Sequence, residues 1–306
     1  MIPHLCCHGN PAFGILIPEA VLSILEALIL GIVQGITEFL PVSSSGHLVL
    51  LQKIFGIEGN VLLFDTLVHA GTLIAVCIVL WQDIWGILQK IIQPLTLFLV
   101  IATLPAVITA LLFGRQIEAA FSSASFLGFA FLTTSALLLF SELLYRRAER
   151  SRGDPQAKDS TLAPPPPAEG SGRQGMAWPD ALVIGLLQAV AMVPGISRSG
   201  ATLSGGLFRR LNREETVRFS FLLSIPAIFG ALIFQIKDLG KQGADSVGLI
   251  PLAIGAVSAA IVGFFSIRLL LKIVRERSLF GFAAYTGLLG FLVLLDRFGT
   301  HFFFKP

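Results

Sequence analysis

Long apolar stretches dominate the chain, and six of them are long enough to form helices that cross a bilayer. A spanning helix needs about 20 consecutive, mostly apolar residues. The predicted spans cover residues 61–87, 93–114, 122–145, 214–236, 247–271 and 279–297. The pattern therefore predicts an all-α integral membrane protein with six transmembrane helices.

Two further apolar stretches, residues 20–55 and 180–208, are each interrupted near the middle by Pro, Gly and Ser. The interruptions run from Pro41 to Gly46 and from Pro194 to Gly200. The pieces on either side are too short to span a bilayer. We predict that each stretch is a re-entrant helix–loop–helix pair, which enters the membrane and leaves by the same face.

The two halves of the chain repeat each other. A shift of 154 residues superimposes five small or polar residues of the first half on five of the second: Gly31, Gln34, Ser43, Ser45 and Gly46 on Gly185, Gln188, Ser197, Ser199 and Gly200. Three spans follow the first broken pair, so the second repeat is predicted to be inverted in the membrane. The predicted organisation is a first repeat (1–145), a disordered, proline-rich cytoplasmic loop (146–178) and a second repeat (179–306).

Composition agrees with a membrane protein and excludes one class of partner. Hydrophobic residues make up 54% of the chain and charged residues only 13%, against about a quarter charged in soluble domains. The formal net charge is +3, and no basic run alternates with aromatic residues, so nucleic acid is not an expected partner. Three cysteines, Cys6, Cys7 and Cys77, form neither a disulfide framework nor a C-x-x-C metal motif.

Lysine and arginine are concentrated on one face of the predicted topology, which the positive-inside rule makes cytoplasmic. Besides the 146–178 loop, the basic residues on that face are Lys90, Arg209, Arg210, Arg213, Lys272, Arg275 and Arg277. Both termini then lie outside. The two broken pairs enter the membrane from opposite faces, and their tips are predicted to meet near the midplane.

The first broken pair contains the run Q-G-I-T-E-F-L-P-V-S-S-S-G-H, which ends at His47. Gln34 and Glu38 are four residues apart and therefore share one helix face. An ionised Glu38 is disfavoured by burial and by the negative end of the helix dipole, so it requires a metal ion or an arginine. The outgoing helix begins near Ser45, and its N–H groups, together with Ser44 and His47, would form an anion site.

The second broken pair supplies Arg198 within P-G-I-S-R-S-G-A-T, residues 194–202. A guanidinium binds phosphate oxygens in a planar, bidentate manner and stays charged when buried. If the tips meet, Arg198 lies opposite Glu38. Two alternatives remain: the serines and glycines only relax kinked membrane helices, or Arg198 extends to the cytoplasmic face.

Other polar residues carry weaker signals. Asp65 and His69, four apart at the start of the first span, are equally compatible with support of the site and with a purely structural role. His301 is typical of an interfacial anchor. A solvated helix start is predicted where two glutamates and four arginines cluster: Glu214, Glu215, Arg209, Arg210, Arg213 and Arg218.

The two tips resemble the signature motifs of the undecaprenyl-diphosphate phosphatase family of the bacitracin-resistance type. Those motifs are (Glu/Gln)-x-x-x-Glu followed by P-V-S-S-x-G-H, and a later P-G-x-S-R-S-x-x-T, and the resemblance covers about residues 20–298. It implies a hydrolase of the bacterial plasma membrane that removes the terminal phosphate of undecaprenyl diphosphate. The implied site opens to the outer, periplasmic face, and the implied roles are recycling of the carrier for cell-wall synthesis and bacitracin resistance.

The resemblance also implies roles for individual residues. Catalytic roles fall on Glu38, Ser44, His47 and Arg198, with Glu38 also holding a divalent cation, Mg²⁺ or Ca²⁺. Substrate-binding or supporting roles fall on Gln34, Ser43, Ser45, Gly46, Ser197, Ser199 and Thr202. Many members have Glu where this chain has Gln34, so that first position cannot be an essential carboxylate here.

In this hypothesis Arg198 and the N–H groups near Ser45 hold the β-phosphate, while Ser44 attacks or positions a water and His47 transfers the proton. The expected partners are a polyprenyl diphosphate and the bilayer, with a homodimer left open. A transporter or flippase is the alternative, because inverted repeats with broken helices are transporter architecture. The type-2 phosphatidic acid phosphatases are excluded, since the chain lacks their K-x₆-R-P motif and has Ser204 where they need histidine.

Overall fold

The computed structural model describes residues 22–57, 61–123, 126–151, 173, 175–242 and 247–300. Within these ranges the regular secondary structure is helical, apart from one isolated bridge between Arg173 and Leu211. Cys6, Cys7, His301 and most of the predicted polar loop lie outside the described residues.

The described residues form eleven α-helices. In chain order they are α1 (Ile24–Thr37), α2 (Ser44–Ile54), α3 (Leu62–Val79), α4 (Trp81–Gln89), α5 (Pro94–Ser123), α6 (Leu127–Ser151), α7 (Trp178–Val190), α8 (Arg198–Phe208), α9 (Arg213–Gln242), α10 (Leu249–Glu276) and α11 (Phe280–Leu295). Six of them are long and apolar enough to cross a membrane: α3, α5, α6, α9, α10 and α11, the last together with the π-helical turn Asp296–Thr300 that follows it. The predicted all-α fold with six transmembrane helices is therefore confirmed.

The first spanning helix is shorter than predicted. The sequence pattern extends it to residue 87, but α3 ends at Val79 and a separate helix, α4, begins at Trp81. No residue of α4 is buried, and Trp81 stacks on Trp85 with ring centroids 5.7 Å apart. Stacked tryptophans beside a carboxylate such as Asp83 are typical of a helix at the membrane surface, where the spanning helix has already ended.

Each broken pair packs against a spanning helix of the other repeat. Helix α1 lies along α10, and α7 lies along α5. A Cβ at Gly31 would lie 2.4 Å from the carbonyl oxygen of Gly255, and one at Gly185 would lie 2.5 Å from that of Ala102. Gly31 and Gly185 are superimposed by the 154-residue shift. Corresponding glycines thus let the two halves approach backbone to backbone in the same way.

The predicted solvated helix start is wrong for Arg213, although Arg209, Arg210, Glu215 and Arg218 are exposed as predicted. Only 4% of Arg213 is exposed, and its Nη2 donates a hydrogen bond of 2.9 Å to Oε1 of Glu142. The fully buried Glu142 also accepts from Nε of Arg146, at 2.6 Å, and the Arg213 guanidinium lies over the ring of Tyr145. The cause is Glu142, because a carboxylate inside the helix bundle requires a cationic partner.

A prediction follows from the contact between α3 and α10. A Cβ added at Gly71 would lie 2.3 Å from the carbonyl oxygen of Ala256, whereas a Cβ at Gly230 in α9 would meet no atom within 4 Å. Gly71→Ala should therefore destabilise the protein by about 1–3 kcal/mol through overpacking. Gly230→Ala should stabilise it by up to about 1 kcal/mol through helix propensity alone.

Thermal unfolding of both variants in detergent measures this difference. The midpoint should fall for Gly71→Ala and stay level or rise for Gly230→Ala. Equal midpoints for the two variants would contradict the close approach of α3 and α10.

Candidate active site

The first tip is a sharp break between α1 and α2. Helix α1 ends with Glu38 as its C-cap, and the backbone N–H of Glu38 still donates to the carbonyl of Gln34 at 2.9 Å. Ser43 is the N-cap of α2, and its hydroxyl accepts from the N–H of Gly46. Ser43 has a φ of 73°, a left-handed conformation that costs a non-glycine residue about 1–3 kcal/mol. The capped, strained turn directs the N-terminus of α2 back toward Glu38.

The second tip is built in a similar way. Gly195, with a φ of 85°, turns the chain after α7, and Ser197 is the N-cap of α8. The Ser197 hydroxyl accepts from the N–H of Gly200 at 3.0 Å, and its own N–H donates to the hydroxyl of Thr134 at 2.9 Å. Arg198 is therefore the first residue of α8, held at a fixed position of the tip.

The two tips are in contact through three hydrogen bonds. Nη2 of Arg198 lies 2.5 Å from Oε1 of Glu38. The Ser199 hydroxyl donates to the carbonyl of Leu40 at 2.9 Å, and the N–H of Gly195 donates to the hydroxyl of Ser45 at 3.4 Å. The pairing of a cation from one repeat with a carboxylate from the other agrees with the hypothesis that the tips meet.

The Glu38 carboxylate is the centre of the cluster. Its Oε2 accepts hydrogen bonds from Nε2 of Gln34, at 3.0 Å, and from the hydroxyl of Ser44, at 2.5 Å. Only 7% of Glu38 is exposed. The carboxylate therefore connects the phosphate-binding candidate Arg198 to the nucleophile candidate Ser44.

His69 also reaches this carboxylate. Its Nε2 lies 3.8 Å from Oε2 of Glu38. Its Nδ1 lies 2.6 Å from the carbonyl oxygen of Asp65, and since a carbonyl can only accept, Nδ1 carries the proton. The Asp65 carboxylate instead accepts from Nε2 of Gln52 at 2.8 Å. Of the two weaker candidates, His69 is the one that faces Glu38.

His47 lies at the same tip but is engaged elsewhere. Among the described residues, the hydrogen-bond partners of its ring are the carbonyl of Ser43, 2.6 Å from Nδ1, and the hydroxyl of Tyr285, 2.7 Å from Nε2. The edge of its ring also meets Phe131. No pattern in the sequence indicates a role for Tyr285, because a single tyrosine in an apolar helix is typical of an interfacial residue.

Some of the predicted supporting hydroxyls stabilise α8 and do not reach Glu38 in the contacts described. The Thr202 hydroxyl bonds to the carbonyl of Arg198 and to the hydroxyl of Ser220, and Thr202 is 1% exposed. The Ser197 hydroxyl caps α8 and lies 3.2 Å from that of Ser199. At Gly46, an added Cβ would lie 2.7 Å from the Phe131 ring, so glycine is needed for close packing there.

The donor set fits one kind of divalent-cation site. Among the described residues, no group of three or more His, Cys, Asp or Glu side chains is placed to enclose a metal. Mg²⁺, however, is commonly bound by one or two carboxylates, with substrate phosphates and water supplying the remaining ligands. Arg198 now neutralises Glu38, so Glu38 could provide the carboxylate for such a site only when Arg198 moves to a phosphate.

Comparison with known proteins gives a consistent result over most of the chain. The family model described as bacitracin resistance protein BacA matches residues 27–292. The chain is 42% identical over 272 residues to an undecaprenyl-diphosphatase of Carboxydothermus hydrogenoformans, covering 88% of this chain and 96% of that protein. It is 38% identical over 296 residues to an undecaprenyl-diphosphatase of Methanosphaera stadtmanae, covering 90% of this chain and 98% of that protein. A third undecaprenyl-diphosphatase, from Halothermothrix orenii, is 36% identical over 276 residues, covering 90% of this chain and 98% of that protein.

The matched segment contains both tips and all six spanning helices, apart from the last residues of α11. The chain belongs to the bacitracin resistance protein BacA family.

Proposed function

We propose that this protein is a membrane phosphatase that hydrolyses undecaprenyl diphosphate to undecaprenyl phosphate and inorganic phosphate. The observation that carries the proposal is the convergence of Arg198 and Ser44 on the buried carboxylate of Glu38. The names of the relatives, undecaprenyl-diphosphatases, support the same substrate. The reaction would recycle the lipid carrier for cell-wall synthesis, and the family's name supports bacitracin resistance as a consequence.

Two features would bind the terminal phosphate. The N-terminus of α2, an eleven-residue helix, offers the N–H groups of its first turn that Ser43 does not cap and the positive end of a dipole, both of which favour an anion. Arg198 can shift its guanidinium from Glu38 to the phosphate oxygens and hold them with two parallel hydrogen bonds. In that position it would also stabilise the charge that develops on those oxygens in the transition state.

Ser44 is the proposed nucleophile, and Glu38 the proposed base. The Ser44 hydroxyl already donates to Glu38, so its proton has an acceptor as its oxygen attacks the β-phosphorus. The new Oγ–P bond forms while the bond from phosphorus to the bridging oxygen breaks, and undecaprenyl phosphate leaves. A water then attacks the phosphoserine, its proton passing to Nε2 of His47, while the Oγ–P bond breaks and Glu38 returns its proton to Ser44. Inorganic phosphate is released, and His47 gives up its proton to solvent.

Glu38 is also the residue that would hold a divalent cation, Mg²⁺ or Ca²⁺, together with the diphosphate. Such a cation supplies charge neutralisation on the phosphate oxygens. We further propose that the protein acts in the bacterial plasma membrane, with the site open to the outer face and the polyprenyl tail between the spanning helices. A hydroxyl hydrogen-bonded to a carboxylate is more than binding alone requires, which favours a phosphatase over a transporter.

The direct test of this function is phosphate release from undecaprenyl diphosphate by the purified full-length protein. We expect release by the wild type, its loss in Ser44→Ala, and its loss with EDTA followed by recovery in excess Mg²⁺ or Ca²⁺. Lipid translocation across vesicles without phosphate release would contradict the proposal and favour a transporter. Phosphate release that persists in EDTA would contradict the requirement for a divalent cation and leave the phosphatase function standing.

A second prediction concerns the geometry of the phosphate clamp. Arg198→Lys keeps the positive charge but loses the planar fork, so turnover should fall about 100-fold or more. The matched control is Arg209→Lys, since Arg209 pairs with Asp180 through its Nε at 2.7 Å, away from Glu38. That control should keep turnover within about threefold, because its ion pair is partly exposed.

Steady-state phosphate release by both variants at saturating substrate measures the difference. Turnover near the wild-type value in Arg198→Lys would remove Arg198 from the role of phosphate clamp.

A further inference from the structure

Both ring nitrogens of His47 are engaged, and the partners fix which of them carries the proton. The Ser43 carbonyl oxygen, 2.6 Å from Nδ1, can only accept a hydrogen bond, so Nδ1 is the protonated nitrogen. In a neutral imidazole Nε2 then carries the lone pair. The Tyr285 hydroxyl lies 2.7 Å from Nε2 and therefore donates its proton to it. Tyr285 thus occupies the one position from which the basic nitrogen of His47 can accept a proton.

The ring of His47 is held on its faces as well as at its nitrogens. The Tyr285 ring stacks on it, with centroids 5.7 Å apart and planes inclined by 10°, and Phe131 meets it edge to face at 5.3 Å. His47 is 8% exposed, whereas Tyr285 is 47% exposed. The hydroxyl of a half-exposed tyrosine is therefore bonded to a buried imidazole.

The position of Tyr285 is itself set by close packing of α11 on α6. The Ser135 hydroxyl donates to the carbonyl of Ala283 at 2.7 Å. A Cβ added at Gly287 would lie 2.8 Å from that same hydroxyl, and one at Gly290 would lie 2.8 Å from the carbonyl of Gly128. These contacts lie before and after Tyr285 in the chain and fix the position of α11 along α6 and its rotation about its own axis. The packing of the two helices therefore places the Tyr285 hydroxyl next to His47.

We propose that Tyr285 is a positioning residue for His47. It holds the imidazole in the Nδ1-protonated tautomer and connects its Nε2 to the proton that moves during phosphate release. The inference rests on the proposed phosphatase function. When His47 is neutral, the tyrosine hydroxyl donates to Nε2; when Nε2 has gained a proton, the same oxygen accepts from it. In a transfer, Tyr285 gives its proton to Nε2 and takes one from a water, so the tyrosine ends unchanged.

The kinetic test is Tyr285→Phe in the full-length protein, which keeps the stacked ring and removes only the hydroxyl. Because it affects proton transfer and not substrate binding, kcat for phosphate release should fall about tenfold or more with KM within about twofold. The control is Tyr145→Phe, the other tyrosine, whose ring carries the Arg213 guanidinium at 4.6 Å. Phenylalanine keeps that contact, so kcat should stay within about twofold.

An NMR measurement on the wild type tests the hydrogen bond between Tyr285 and His47 directly. In histidine-labelled wild type, ¹⁵N NMR should show His47 protonated at Nδ1 with a hydrogen-bonded, unprotonated Nε2, assigned by loss of its signals in His47→Gln. In Tyr285→Phe the Nε2 resonance should move toward that of a nitrogen with no hydrogen-bond donor. An Nε2-protonated His47 in the wild type would overturn the inference.

The outcomes separate this inference from the function on which it rests. If the wild type releases phosphate and Tyr285→Phe matches it in kcat, the positioning role is wrong and the phosphatase stands. If the wild type releases no phosphate under any divalent-cation condition, the proposed function fails and the role of Tyr285 fails with it.

Discussion

The ion pair between Glu38 and Arg198 is the interaction on which the proposed active site depends. Each charge lies on a different tip, and a carboxylate as buried as Glu38 requires a cationic partner. Glu38 in particular sits at the C-terminal end of α1, where the helix dipole adds to the cost of burial. The pairing brings the N-termini of α2 and α8 close together, so the requirement to neutralise a buried carboxylate also brings together the residues of the proposed phosphate site.

The two tips share their capping residues but differ in their charged residues. Ser43 and Ser197 are both N-caps of the outgoing helices, at positions related by the 154-residue shift. The carboxylate has no counterpart, because Met192 stands at the position related to Glu38. Gln34 donates to Glu38, but neither amide atom of its counterpart Gln188 has a hydrogen-bond partner among the described residues. One tip thus carries the carboxylate of Glu38 and the proposed nucleophile, Ser44, and the other carries Arg198.

Much of this arrangement can be predicted from short stretches of sequence, because it depends on residues that are close together in the chain. Apolar length predicts the spanning helices, four-residue spacing puts Gln34 beside Glu38, and the Pro-Gly-Ser breaks mark the tips. Of the contacts between distant segments, the repeat pattern predicts the one between Arg198 and Glu38, but the following two could not be predicted. Nothing in the sequence pairs Tyr285 with His47, 238 residues away, or Arg213 with Glu142, 71 residues away. Those pairings depend on how whole helices pack. A buried arginine that neighbours glutamates in the chain has the same sequence pattern as a solvated one.

The most direct measurement of the central claim is a double-mutant cycle of thermal stability at the tips, using Glu38→Gln, Arg198→Met and the double variant in detergent. Arg198→Met alone leaves a buried carboxylate without its cation and should cost about 3–5 kcal/mol, lowering the unfolding midpoint sharply. The double variant removes both charges, so its midpoint should lie above that of Arg198→Met. A double variant whose loss equals the sum of the two single losses would mean that the charges do not interact, and that the tips do not meet at Glu38.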